Sequence, residues 1–137
     1  MDIKLQVTSP GTSDVLKSMN VTLKSDYVYR FYPGTKKSVL VPASQIFPGS
    51  KNITHAYTIA ELGLMIPWGL FQQSPVKKHQ GGKWEIDLKE NGKHYYAYEV
   101  EARAHYLIDL IYTKQVDVNE VNHPEKYNQP VKKPVVK

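Results

Sequence analysis

Apolar and polar positions alternate along DIKLQV (2–7), the period of two that predicts a β-strand. SPGTS (9–13) reads as a turn, and DVLKSM (14–19) has no clear period. NVTLK (20–24) and DYVYRFY (26–32) are rich in β-branched and aromatic residues, which predicts two more strands. PGTKK (33–37) is a turn or hairpin loop. SVLV (38–41) is a short apolar strand stopped by Pro42, and a loop with Pro48 and Gly49 runs to about residue 54.

The period then changes. Ile59, Leu62, Met65 and Ile66 form one apolar helical face, and Thr58 with Glu61 makes a capping box at its start. Gly63 weakens this helix by about 1 kcal/mol relative to alanine. Pro67 ends it. KKHQGGK (77–83) is a flexible basic loop. WEIDLK and HYYAYEV flank ENGK, and Asn91-Gly92 at the tip predicts a β-hairpin with a type I′ turn. Trp84, Ile86 and Leu88 share one face. Four aromatics in the hairpin, Trp84, Tyr95, Tyr96 and Tyr98, exceed what one core face needs, so some belong on an outer face or an interface.

EVEARAHYLIDLIYTK (99–114) reads as an amphipathic helix. With about 100° per residue, Val100, Ala104, Leu107, Leu110 and Ile111 share an apolar stripe. Glu101, His105, Asp109 and Tyr112 lie opposite, on the face expected to meet water. Arg103 interrupts the stripe, about 40° from Leu107. Two readings stand open. Its stem covers apolar surface while its head reaches water and pairs with Glu99 one turn earlier. Alternatively, it lines an anion pocket near a helix N-terminus, where phosphate or carboxylate would bind. The fold class expected is α+β: an antiparallel sheet, a short capped helix (about 58–66), one long C-terminal helix (about 99–115) and an extended tail. Residues 1–118 would form a single domain and 119–137 a Pro/Lys-rich tail with no core of its own.

Composition narrows this picture. The 137 residues suffice for one hydrophobic core, and 41% hydrophobic with 23% charged residues is a globular balance. Cysteine is absent, which removes disulfides, thiolate zinc sites and a cysteine nucleophile. No secretory signal and no membrane span is expected, so a cytoplasmic setting is the default. The net charge of +5 fits attraction to nucleotides or nucleic acid, as it fits a lysine-rich surface. Only two of the 18 basic residues, Arg30 and Arg103, are arginines. Lysine covers the surface, which reserves arginine for planar, bidentate recognition.

Signals for enzyme chemistry are poor. No phosphate-binding glycine loop and no zinc-protease motif is present, and the five histidines are scattered. Glu101 and His105, one turn apart, are the best metal-ligand spacing and fit an ordinary surface pair better. A non-enzymatic protein without cofactor or metal is expected.

Two stretches carry a resemblance. HAYTIAELGLMIPWGL resembles a "tLaELg-x-mLP" segment, and EVEARAHYLIDLIY resembles an "EAdARAxxLiyLi" segment, with a tryptophan-bearing hairpin between them. Together, over about residues 55–112, they resemble small proteins encoded by phages and mobile elements. That group is similar to a phage anti-defence family of Thoeris inhibitors. The resemblance implies an antiparallel sheet with C-terminal helices, assembled as a dimer or larger. It implies sequestration, without cleavage, of a cyclic nucleotide immune signal: a cyclic ADP-ribose type or a cyclic oligonucleotide. In that family a hairpin aromatic stacks on adenine and a helix arginine binds phosphate. Trp84 and Arg103 are the matching positions here, and Tyr96 and Tyr98 are further stacking candidates. Asn91 and His94 stand near the remaining polar contacts, which do not align, and the Pro-rich tail departs from the pattern. The partners expected are a cyclic nucleotide or other phosphate-bearing ligand and further copies of the chain, in the host cytoplasm. The alternatives are a virion or assembly component, from the basic tail, and a host-factor-binding or nucleic-acid-binding protein, from charge and tyrosine content.

Overall fold

The computed structural model describes residues 6–32, 34, 37–47, 52–67, 76–88 and 92–127. It is an α+β fold with two small antiparallel sheets in place of the single sheet expected. The elements in chain order are α1 (Pro10–Ser18), β1 (Tyr27–Phe31), β2 (Ser38–Pro42), β3 (Ile53–Ala56), α2 (Ile59–Met65), β4 (Lys77–Lys78), β5 (Trp84–Asp87), β6 (Lys93–Tyr96), α3 (Glu99–Tyr112), α4 (Val118–Asn122) and α5 (Pro124–Tyr127). The first sheet has the order β2-β1-β3 and the second β4-β5-β6.

α1 occupies the stretch read as a turn (9–13) and most of the one without a clear period (14–19). Ser9 caps it, accepting from the Thr12 amide at 3.3 Å, and Pro10 supplies a first-turn residue that needs no amide partner. Its buried face is Thr12, Ser13 and Leu16, so only one apolar residue marks it. What holds α1 down is polar. The Thr8 hydroxyl lies 2.7 Å from that of Ser13 and accepts from the Tyr57 amide at 3.0 Å. Tyr29 donates its phenol to the Thr8 carbonyl at 2.8 Å. Burial, then Glu101, pushes the Tyr29 pKa up to about 12.

The strand expected over 20–24 has no ladder partner among the described residues. Its alternation survives: Val21 is buried and Leu23 half-buried, while Thr22 and Lys24 are exposed. β3 was not expected, since its two buried positions are Thr54 and Ala56. Most of the expected strand 2–7 lies outside the described residues; Val7 forms an isolated bridge with Thr58.

α2 carries the expected capping box. The Thr58 hydroxyl accepts from the Glu61 amide at 3.2 Å, and the Glu61 carboxylate accepts from the Thr58 amide at 2.8 Å. KKHQGGK, expected as a loop, contributes β4, which pairs with β5. The hairpin pairs Trp84 with Tyr96 and Asp87 with Lys93, and the Leu88 amide donates to the Gly92 carbonyl at 2.9 Å. Asn91, at the tip of the expected type I′ turn, lies outside the described residues; Gly92 beside it has φ +78°. The register keeps Ile86 fully buried on the face shared with Trp84.

α3 lies between α1, α2 and the hairpin. Val100, Ala104, Leu107 and Leu110 are buried as the periodicity requires, but so are Ala102 and Tyr106. The face expected to meet water is covered at its start, because Glu101 accepts from Ser9 and Thr12 of the α1 cap. Leu16, Val21, Tyr57, Leu62, Met65 and Ile86 join the α3 residues in the main core. Each such side chain contributes about 1.5–3 kcal/mol by leaving water. Val121 of α4, fully buried, belongs to the same cluster, and the Asn122 amide group donates to the Asn20 carbonyl at 2.9 Å. The stretch expected as a coreless tail from 119 thus begins with a packed segment in which Val121 and Pro124 are buried. Residues 128–137 lie outside the described residues.

Candidate functional site

Arg103 pairs with Glu99 as its first reading had it, but its head stays largely out of water. Its Nε donates to Glu99 Oε2 at 2.6 Å, an i, i+4 pair along α3. The side chains are only 15% and 25% exposed, so this charge-assisted bond is shielded from water. Arg103 lines none of the three hollows described below. The anion that its Nε meets is a carboxylate of its own helix.

The carboxylate does reach a hollow. Glu99 lines a depression of about 430 Å³ together with Trp84, Tyr98, Thr58, Ile59 and Gln6. β5 positions Trp84, the turn into α3 positions Tyr98, and α2 supplies the third wall. Tyr98 is the N-cap residue of α3 and provides no side-chain cap. The hollow thus joins two aromatic rings, a carboxylate and the start of a helix. Lys78 of β4 places its Nζ 5.9 Å from the centre of the Trp84 ring, a cation–π distance.

Tyr96 and His94 line a different hollow, of about 390 Å³, with Leu88, His105, Asp109 and Tyr112. The rings of Tyr96 and His105 stack at 4.7 Å and 12°. Burial lowers the His105 pKa; Glu101 opposes this and His94 adds to it. Thr12 Oγ1 donates to Glu101 at 3.0 Å and stands 3.5 Å from His105 Nε2. Glu101 and His105 thus converge on a hydroxyl. Among the described residues no three His, Asp or Glu side chains gather as metal ligands. The expected ligand set is split: Trp84 and Tyr98 together, Tyr96 and His94 together, Arg103 apart. Asn91 lies outside the described residues. Tyr95, opposite Glu85, is more than half exposed on the outer face of the hairpin, where an aromatic was expected.

A third hollow, about 280 Å³, lies where α1 meets β3, lined by Lys17, Thr22, Thr54, His55 and Tyr57 among others. Sequence reasoning missed it because neither α1 nor β3 was expected: 9–13 was read as a turn, 14–19 showed no clear period and a loop was expected to about residue 54. The Ser9-Pro10 pair was the available signal for α1. No helix among the described residues is long and apolar enough to cross a membrane. Comparison of the chain with protein-family models, with curated proteins and with solved structures gives no match.

Proposed function

We propose that this chain is a non-enzymatic, phage-type binding protein that takes a phosphate-bearing nucleotide in the Trp84–Tyr98 hollow and sequesters it. The observation that carries this reading is the placement of Trp84 and Tyr98 in one hollow with Lys78 against the tryptophan. A nucleobase stacked on such a ring gains about 1–3 kcal/mol. Lys77 and Lys78 supply positive charge beside it for phosphate. The sequence resemblance supports the finer reading, a cyclic nucleotide immune signal of the cyclic ADP-ribose type or a cyclic oligonucleotide. Sequestration requires affinity for the ground state alone, so it needs no catalytic group.

Glu99 sharpens the proposal. A phosphate entering the hollow meets this carboxylate before it meets Arg103, and the two anions compete for the guanidinium. Glu99→Gln should therefore tighten binding, and Trp84→Ala should weaken it by about tenfold or more. Calorimetry with cyclic ADP-ribose isomers and cyclic di- and trinucleotides tests this. No heat at micromolar concentrations, in wild type and in Glu99→Gln alike, removes the reading.

One observation favours a second reading, nucleic-acid binding. Lys77, Lys78, Lys83 and Lys93 are all exposed on or beside the second sheet. Retention of RNA or DNA that falls steeply with salt, through counterion release, would support it.

A further inference from the structure

We infer that the hollow between α1 and β3 is a second binding site, for the phosphate group of a small phosphate monoester, held by Lys17, His55 and Thr22. The inference is independent of the Trp84 hollow. At about 280 Å³ the space falls below the roughly 300–1,000 Å³ of drug-sized sites, so its occupant is small.

The lining carries three side chains able to donate. Lys17 Nζ donates to the Ile53 carbonyl at 3.0 Å, which holds the ammonium at the rim and leaves two of its three N–H groups for a ligand. β3 is an edge strand, so this carbonyl faces away from the sheet and brings Lys17 to the hollow rather than to bulk water. His55 is anchored on its other side: Nδ1 lies 2.9 Å from Ser25 Oγ, within reach of the Ser25 amide. Nε2 makes no hydrogen bond among the described residues and belongs to a side chain that lines the hollow. Thr22 brings a hydroxyl from the segment after α1, which Asn122 fixes by accepting from the Thr22 amide at 2.7 Å. Three donors on three segments match a tetrahedral anion with several acceptor oxygens better than a planar carboxylate.

The local charge agrees. Burial, then Lys17 and Lys24, holds the His55 pKa below its ordinary value, so two ammonium groups act on this imidazole. Two carboxylates near the lining already have donors, Asp14 from the lining itself. Asp14 accepts from Thr54 at 3.3 Å, and Glu61 accepts in the α2 cap and from the Asp26 amide. A bound dianion would offset the repulsion on His55 and favour its protonated form.

The test is an NMR titration of the full chain with inorganic phosphate, ionic strength balanced with chloride. The expected result is saturable shifts confined to Lys17, Thr22, Thr54 and His55, with the His55 pKa raised. Lys17→Gln should weaken the binding about tenfold or more. Its substitution is on the exposed side of α1, so the fold should survive and the spectrum reports this directly. Trp84→Ala should leave the titration unchanged, which separates this site from the nucleotide hollow. Shifts that grow without saturation, shifts that chloride reproduces, or an unaltered titration in Lys17→Gln would overturn the inference. The wild-type titration alone decides it should the variant fail to fold.

Discussion

The molecule has two sides held by different forces. Beneath α2, α3 and the hairpin the contacts are apolar: Leu62, Met65, Ile86, Val100, Leu107 and Leu110 are each at most 1% exposed. Where α1 meets β3 and the segment before α2, the apolar Leu16, Ala56 and Tyr57 are joined by five buried hydroxyl-bearing residues, Thr8, Thr12, Ser13, Ser25 and Thr54. On the first side stability comes from removing apolar area from water, which is tolerant of direction. On the second it comes from hydrogen bonds among groups that cost about 1–3 kcal/mol when left unsatisfied. Such a seam tolerates few alternative geometries, because each hydroxyl has one proton and must place it. The lesson is that the polar side specifies one docking pose for α1, while the apolar side supplies most of the stability.

Three substitutions or conditions break or sharpen that contrast. Leu107→Ala removes a fully buried side chain from the apolar side and should cost about 2–5 kcal/mol, read as a shift of the urea midpoint at constant slope. Thr8→Val keeps the volume of the seam but strips the hydroxyl from Ser13 and the Tyr57 amide. It should cost about 1–3 kcal/mol. Adding Ser13→Ala should cost less in that background than in wild type, a coupling of about 0.5–3 kcal/mol. If Thr8→Val proves neutral and uncoupled, the seam is not held by its hydroxyls and the contrast disappears.

The smallest effect expected is a pH dependence. His55 and His105, one at each flank of α1, both have pKa values lowered by burial. The unfolded chain therefore takes up protons first. Stability should be complete above the ordinary histidine value of 6.5 and fall as pH drops through it. The fall continues until the lowered values in the fold are passed. Denaturation at pH 8 and pH 5 reads the difference, and His105→Gln should flatten part of it. A midpoint unchanged across that range would contradict the burial of both rings.

The same contrast explains what the sequence discloses. Helix α2 was readable from Thr58 and Glu61, and α3 from the spacing of Val100, Ala104, Leu107 and Leu110, because apolar periodicity is how a buried face shows itself. α1 and β3 bury Thr12, Ser13 and Thr54, so their inner faces look like surface. Glu101 and His105 were assigned to water for the complementary reason: an undetected helix covers them. The pairing of Arg103 with Glu99 was one of two readings at that position, since i, i+4 spacing is visible in sequence. Which of Trp84, Tyr96 and Tyr98 share a hollow was not readable, because it depends on strand register and on the turn into α3.

The second sheet ends in a strand of two residues, Lys77 and Lys78, paired on one side only among the described residues. A sheet margin of this kind is where neighbouring molecules would zip together, strand upon strand. Here such growth would press rows of ammonium groups against each other, and mutual repulsion stops it. Salt blunts that repulsion, with charges fading beyond about 8 Å at physiological ionic strength. Concentrated or high-salt samples are thus the ones in which lateral stacking through this margin would first show.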